Sequence, residues 1–286
     1  MNFYIVDVFS EAKYQGNPLA VFFSDQDVSD HEMLRIANEL HFSETTFVLS
    51  PKQPNGGYDV RIFTPDAEVP FAGHPTLGTA YVINQVKESG QSSRIILNLT
   101  VGQIPVDITD GLLTMRQNQP AFGSVSDDYE LIAEALSVNR DDLRTDYPCQ
   151  WVSTGLPCVV IPLKSVDALA RCRVNHSRFD QALTVCGNCN FFLFADDLKM
   201  NDCFRARVFT NDTGYVEDPG TGSANGNFAA YLLKHRYLGR DEIHVIVNQG
   251  LEMGRPSKLI IDAFISDGVY DIRVGGQVHH VACGTW

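Results

Sequence analysis

Phe71-Ala72-Gly73-His74-Pro75-Thr76-Leu77-Gly78-Thr79-Ala80 runs straight into the apolar segment Tyr81-Val82-Ile83-Asn84-Gln85-Val86. Small residues followed by an apolar run predict a tight turn that opens a buried helix. The first N–H groups of a helix have no partner within it, and its start carries a partial positive charge. Such a turn can therefore hold a carboxylate without a lysine. An ordinary packed turn has the same local composition, but here the pattern occurs twice. Glu217-Asp218-Pro219-Gly220-Thr221-Gly222-Ser223-Ala224-Asn225-Gly226 leads into Phe228-Ala229-Ala230-Tyr231-Leu232-Leu233.

The surroundings recur as well. Arg61-Ile62-Phe63-Thr64 precedes the first turn and Arg207-Val208-Phe209-Thr210 the second. Further out, Gly16-Asn17-Pro18-Leu19-Ala20-Val21 is echoed by Gly155-Leu156-Pro157-Cys158-Val159-Val160, and Phe47-Val48-Leu49 by Phe192-Leu193-Phe194. Val101-Gly102-Gln103 follows the first helix as Asn248-Gln249-Gly250 follows the second. Matching residues are separated by 139 positions at Gly16, 145 at Phe47, 146 at Arg61, 147 at Gly73 and 148 at Gly102. A separation that only grows marks a duplicated domain with a few loop insertions, whereas an array of short repeats has a small fixed period.

The predicted fold is α+β with two similar halves, 1–118 and 119–286, each a curved, mostly antiparallel sheet around an apolar helix. The two helix starts are expected to face one cleft, and a last strand near 278–286 can return to the first half. Strands are predicted at 3–9, 19–23, 59–63, 94–99, 104–108 and 112–115. A helix capped by Asp30 carries Met33, Ile36, Ala37 and Leu40 at helical spacing. The link between halves is read at 117–126, where Pro120 and Gly123 interrupt the pattern, and an amphipathic helix through Leu131, Ile132, Ala135 and Leu136 follows.

At 286 residues, 44% apolar and 20% charged, the chain is expected to bury substantial cores. A net charge of -13 opposes nucleic-acid or anionic-membrane partners. No apolar run is long enough to span a bilayer, and the start reads as a strand and not a signal peptide. Seven cysteines without a disulfide rhythm suit a reduced, cytoplasmic protein.

Duplication also shows where the halves differ. Glu44 corresponds to Cys189, His74 to Thr221, and Asp218 to Phe71. Glu44 lies in an otherwise buried-looking run, and a carboxylate withdrawn from water gains the raised pKa a proton shuttle needs; a surface-facing strand residue is the alternative. His74 either bonds a ligand or satisfies a backbone carbonyl. Asp218 either orients that histidine or caps the second helix, and Ser223 either donates to a ligand or joins the cap. Gly73 and Gly222 are where a ligand can approach backbone N–H. Arg61 and Arg207, present in both halves, read as structural. Cys186-Gly187-Asn188-Cys189 has the spacing of a zinc or redox pair, but no second well-spaced pair follows, so no metal is assigned. Gly220-Thr221-Gly222 is neither a P-loop nor a dinucleotide fingerprint.

Through Gly16 to Phe22, Phe42 to Val48, Arg61 to Pro65, Phe71 to Pro75, Glu217 to Gly226 and Gln249-Gly250, the chain resembles the PhzF-like isomerases of phenazine biosynthesis, which share the two-lobed diaminopimelate epimerase fold. The resemblance implies Glu44 as acid/base, with His74, Asp218 and Ser223 as the other active-site side chains. It also implies a small cyclic carboxylic acid as substrate, no cofactor, and a homodimer. Diaminopimelate epimerases have a cysteine before each glycine turn, where this chain has Ala72 and Pro219, so a one-carboxylate proton shift fits better than two-thiol racemisation. A non-catalytic binder on the same fold and an amino-acid racemase are the alternatives.

Overall fold

In the computed structural model, which describes residues 1–24, 28–210 and 216–286, the chain divides into two units, Met1–Arg116 with Gly275–Trp286, and Gln117–Val274. The first contains β1 (Asn2–Val8), β2 (Asn17–Phe23), α1 (Asp30–Leu40), β3 (Thr45–Val48), β4 (Tyr58–Phe63), β5 (Glu68–Val69), α2 (Gly73–Lys87), β6 (Arg94–Leu99), β7 (Gly102–Thr109) and β8 (Leu112–Arg116). The second contains β9 (Ala121–Ser126), α3 (Tyr129–Leu136), β10 (Cys149–Ser153), β11 (Pro157–Pro162), α4 (Val166–Arg171), α5 (His176–Cys186), β12 (Asn190–Asp196), β13 (Cys203–Phe209), β14 (Glu217–Asp218), α6 (Gly222–Lys234), β15 (Glu242–Gln249) and β16 (Ser257–Ser266). β17 (Val269–Gly276) ends at the unit boundary, and β18 (Val278–Thr285) belongs to the first unit.

Within the first unit β1 and β2 are antiparallel, β2 and β3 parallel, β3 and β4 antiparallel, and β4 and β6 parallel. Parallel neighbours need a crossover, and α1 and α2 supply the two crossovers. α2 touches β1, β2, β3, β6, β7, β8 and β18, so the strands wrap it, and Gly73 through Ala80 are buried without a break. α1 keeps an ordinary amphipathic character. Its Met33, Ile36 and Ala37 meet Ala20 and Phe22, two apart on one face of β2, together with Phe47 and Phe63.

The second unit repeats this order. β10 and β11 are antiparallel, β11 and β12 parallel, β12 and β13 antiparallel, and β13 and β15 parallel, with α6 in the second crossover. Register is kept once the match at this strand is moved by one residue: Arg61 stands opposite Phe47, and Arg207 opposite Leu193, so Phe47 corresponds to Leu193 and not Phe192, and Glu44 to Asn190 and not Cys189. α6 is buried from Gly222 to Leu233 and touches β10, β11, β15 and β16. The first crossover is larger here, since α4 and α5 replace the single α1. Ala182, Leu183 and Cys186 of α5 pack with Ile132, Ala135 and Leu136 of α3.

Two further sequence readings need correction. The segment 117–126 is a link for only a few residues, because β9 occupies Ala121–Ser126 and pairs antiparallel with β10. In the first unit the same place beside β1 is filled by β18, so one half draws its flanking strand from upstream and the other from the chain's end. The cap of α1 is Ser29, whose side chain accepts from Glu32 N–H; Asp30 instead accepts from Arg61 at 2.6 Å. Among the described residues no helix is long and apolar enough to cross a membrane.

Candidate active site

The first glycine turn is built by residues distant in sequence. α2 starts at Gly73 behind Ala72, which has no side chain able to cap it, and the N–H groups of Gly73 and His74 have no partner among the described residues. Pro75 has no N–H to satisfy. The His74 ring is 4% exposed, and Asn17 Nδ2 lies 3.1 Å from its Nδ1. Asn17 is placed by Gly16, whose φ is +68° and where a Cβ would lie 2.2 Å from the Val8 carbonyl oxygen, so only glycine allows the chain past.

Burial pushes the His74 pKa down to about 3, against a smaller opposing effect of the Pro18 backbone, and the ring is neutral at pH 7. Nε2 faces Glu44 Oε2 at 3.5 Å, and the Glu44 side chain is 14% exposed. Glu44 is thus turned inward and beside the helix start. Its position follows from β3, whose four residues Thr45–Val48 are all buried, and from a 2.7 Å hydrogen bond between Thr46 Oγ1 and Thr79 Oγ1 that ties β3 to α2.

The second turn offers more donors. α6 starts at Gly222, Thr221 makes no side-chain cap, and the N–H groups of Gly222, Ser223 and Ala224 have no partner among the described residues. Ser223 is 7% exposed, and its hydroxyl has no hydrogen bond among the described residues. Neither Asp218 nor Ser223 caps the helix. Asp218 is buried and accepts from the Thr221 hydroxyl. Gln249, fully buried at the end of β15, donates to the Asp218 carbonyl at 2.8 Å and to Thr221 Oγ1 at 2.9 Å. Its Oε1 accepts from Thr221 N–H at 3.3 Å and Asn225 Nδ2 at 3.0 Å. The next residue, Gly250, has φ +74°, and a Cβ there would lie 2.6 Å from the Pro219 carbonyl oxygen.

Each unit thus carries its own glycine turn with its own side chains: Glu44, Gly73 and His74 lie in the first unit, and Asp218, Gly222 and Ser223 in the second. Sequence reasoning missed Asn17, Thr221 and Gln249. The available signal was glycine next to an amide residue in both Gly16-Asn17 and Gln249-Gly250. The repeated arginines differ in what they hold: Arg207 pairs with Glu217 and donates to the backbone carbonyls of Leu169 and Cys172, whereas Arg61 pairs with the carboxylates of Glu68 and Asp30. Cys186 and Cys189 are buried, and burial pushes the Cys189 thiol up to about 12, which keeps it protonated and unreactive.

A duplicated sheet wrapped on a buried helix, with paired glycine turns, defines the epimerase-type α+β fold. A hydroxyproline epimerase of Agrobacterium vitis shares it at TM-score 0.64 and 10% identity, covering 99% of this chain and 90% of that one. The phenazine biosynthesis-like family PhzC-PhzF matches residues 6–284. A PhzF-family protein of Bacillus anthracis superposes at TM-score 0.89 with 26% identity, covering 99% of this chain and 98% of its own. The trans-2,3-dihydro-3-hydroxyanthranilate isomerase of Pseudomonas aeruginosa is 36% identical over 267 residues, 89% of this chain and 87% of that enzyme. The chain belongs to the PhzC-PhzF family and is an isomerase.

Proposed function

We propose that this isomerase moves a C–H proton within a small cyclic carboxylic acid, and that Glu44 takes the proton from one carbon and returns it to another. The observation that carries this reading is the inward carboxylate of Glu44 beside a neutral histidine at a helix start with unpartnered N–H groups. A neutral His74 stands 3.5 Å from the Glu44 carboxylate without competing with it for the proton, because the ring titrates far below neutrality. The N–H groups of Gly222, Ser223 and Ala224 suit the substrate carboxylate, and the helix dipole behind them favours negative charge. Ala72 and Pro219 leave no thiol at either turn, which favours one carboxylate over a pair of opposed bases.

The test is solvent-isotope wash-in. Incubating the protein in heavy water with trans-2,3-dihydro-3-hydroxyanthranilate and a panel of related cyclic unsaturated acids should place deuterium at a ring carbon of at least one of them. Binding of these acids without any exchange would show a cleft that has no proton chemistry.

A further inference from the structure

The Gln249 amide has two N–H protons and one carbonyl oxygen, and every one is used inside a single turn. Both protons go to acceptors, the Asp218 carbonyl and Thr221 Oγ1. The oxygen takes two donors, Thr221 N–H and Asn225 Nδ2. Rotating the amide by half a turn would set oxygen against the Asp218 carbonyl and NH2 against the Thr221 N–H, so its orientation is fixed. Because Nε2 donates to Thr221 Oγ1, the Thr221 hydroxyl must spend its own proton on Asp218. Because Oε1 takes the Thr221 N–H, that amide is withdrawn from the row of donors, which then begins at Gly222. Gly250 lets this happen, since a side chain there would collide with the Pro219 carbonyl.

We propose that Gln249 is a positioning residue of the isomerase. It sets which amides of the second turn are open to a substrate carboxylate, and through Thr221 it holds Asp218 as a hydrogen-bond acceptor. The proposal deepens the reading of that turn as a carboxylate site and rests on it for its functional half.

Two measurements separate the parts. Amide hydrogen exchange of Thr221 reads the brace alone. It should be slow in the wild-type protein and about tenfold or more faster in Gln249→Leu, with α2 unchanged. Titration with benzoate, as a minimal carboxylate, reads the consequence. Affinity should fall about tenfold in Gln249→Leu and in Thr221→Val and return in Thr221→Ser. If Gln249→Leu does not fold, solvent exchange of the wild-type Gln249 side-chain NH2 protons decides: exchange much slower than that of an exposed glutamine supports the brace, and exchange as fast as an exposed glutamine's overturns it. Unchanged Thr221 exchange and benzoate affinity in Gln249→Leu also overturn it. If wild-type protein shows slow Thr221 exchange but no benzoate binding, the brace stands and the carboxylate reading falls.

Discussion

The Gly73 turn is braced by residues that precede it in the chain, Gly16 and Asn17, whereas the Gly222 turn is braced by residues that follow it, Gln249 and Gly250. In each case a left-handed glycine lets backbone pass close by while its neighbour's amide side chain grips the turn. The sequence counterparts do nothing of the kind. Gly155, which matches Gly16, has no atom nearer its ideal Cβ than Asn118 at 3.8 Å, and Gly102, which matches Gly250, has nothing within 4 Å. Duplication preserved strand order and register, while the bracing of each turn was settled separately. One turn came to hold a histidine against a glutamate, and the other a row of open amides.

The largest contrast is expected at the repeated arginines. Arg207 is 3% exposed, with its charge paired to Glu217, so Arg207→Met should cost about 3–5 kcal/mol by stranding that carboxylate. Arg61 is more exposed and pairs with the exposed Asp30, so Arg61→Met should cost about 1 kcal/mol or less. Urea denaturation of the two variants measures the gap, and equal losses would break the distinction between halves.

Next come the glycines. Gly16→Ala and Gly250→Ala combine left-handed strain with a backbone collision, about 3 kcal/mol each, whereas Gly102→Ala meets open space and should cost about 1–2 kcal/mol. The same denaturation assay applies. A Gly102→Ala loss as large as that of Gly250→Ala would mean the brace has not moved.

A further contrast is a pH dependence set by the buried His74 of the first half. His74 has a folded pKa of about 3, below its unfolded value near 6.5, so the unfolded chain binds the extra proton as pH falls. Its stabilising contribution is whole above about pH 6.5 and declines toward pH 3. Between pH 7 and pH 5 wild-type protein should lose about 2 kcal/mol more than His74→Asn. Identical losses would place a charged ring in the folded state.

Much of this was legible in the sequence, because duplication repeats whole motifs and glycine turns before apolar runs have few readings. The doubled Arg-x-Phe-Thr segments and both buried helices follow from the residues alone. Whether Glu44 points inward does not, since one strand offers two faces and only the neighbours of β3 choose between them. The braces were hidden for a different reason. The Asn17 to His74 contact spans 57 positions and the Gln249 to Thr221 contact spans 28, and a single side-chain bond leaves no periodic trace. Ser29 and Asp30 are both able caps, and Asp30 was recruited by an arginine 31 residues away. The flanking strand β9 was concealed by Pro120 and Gly123, which usually signal loops.

The central claim is that one carboxylate, in the first half, carries the proton. Glu44→Gln keeps size and hydrogen bonding while removing the base. With an acid that wild-type protein labels in heavy water, the variant should bind it with similar affinity and incorporate deuterium about a thousandfold more slowly. Deuterium entering at the wild-type rate in Glu44→Gln would contradict the account.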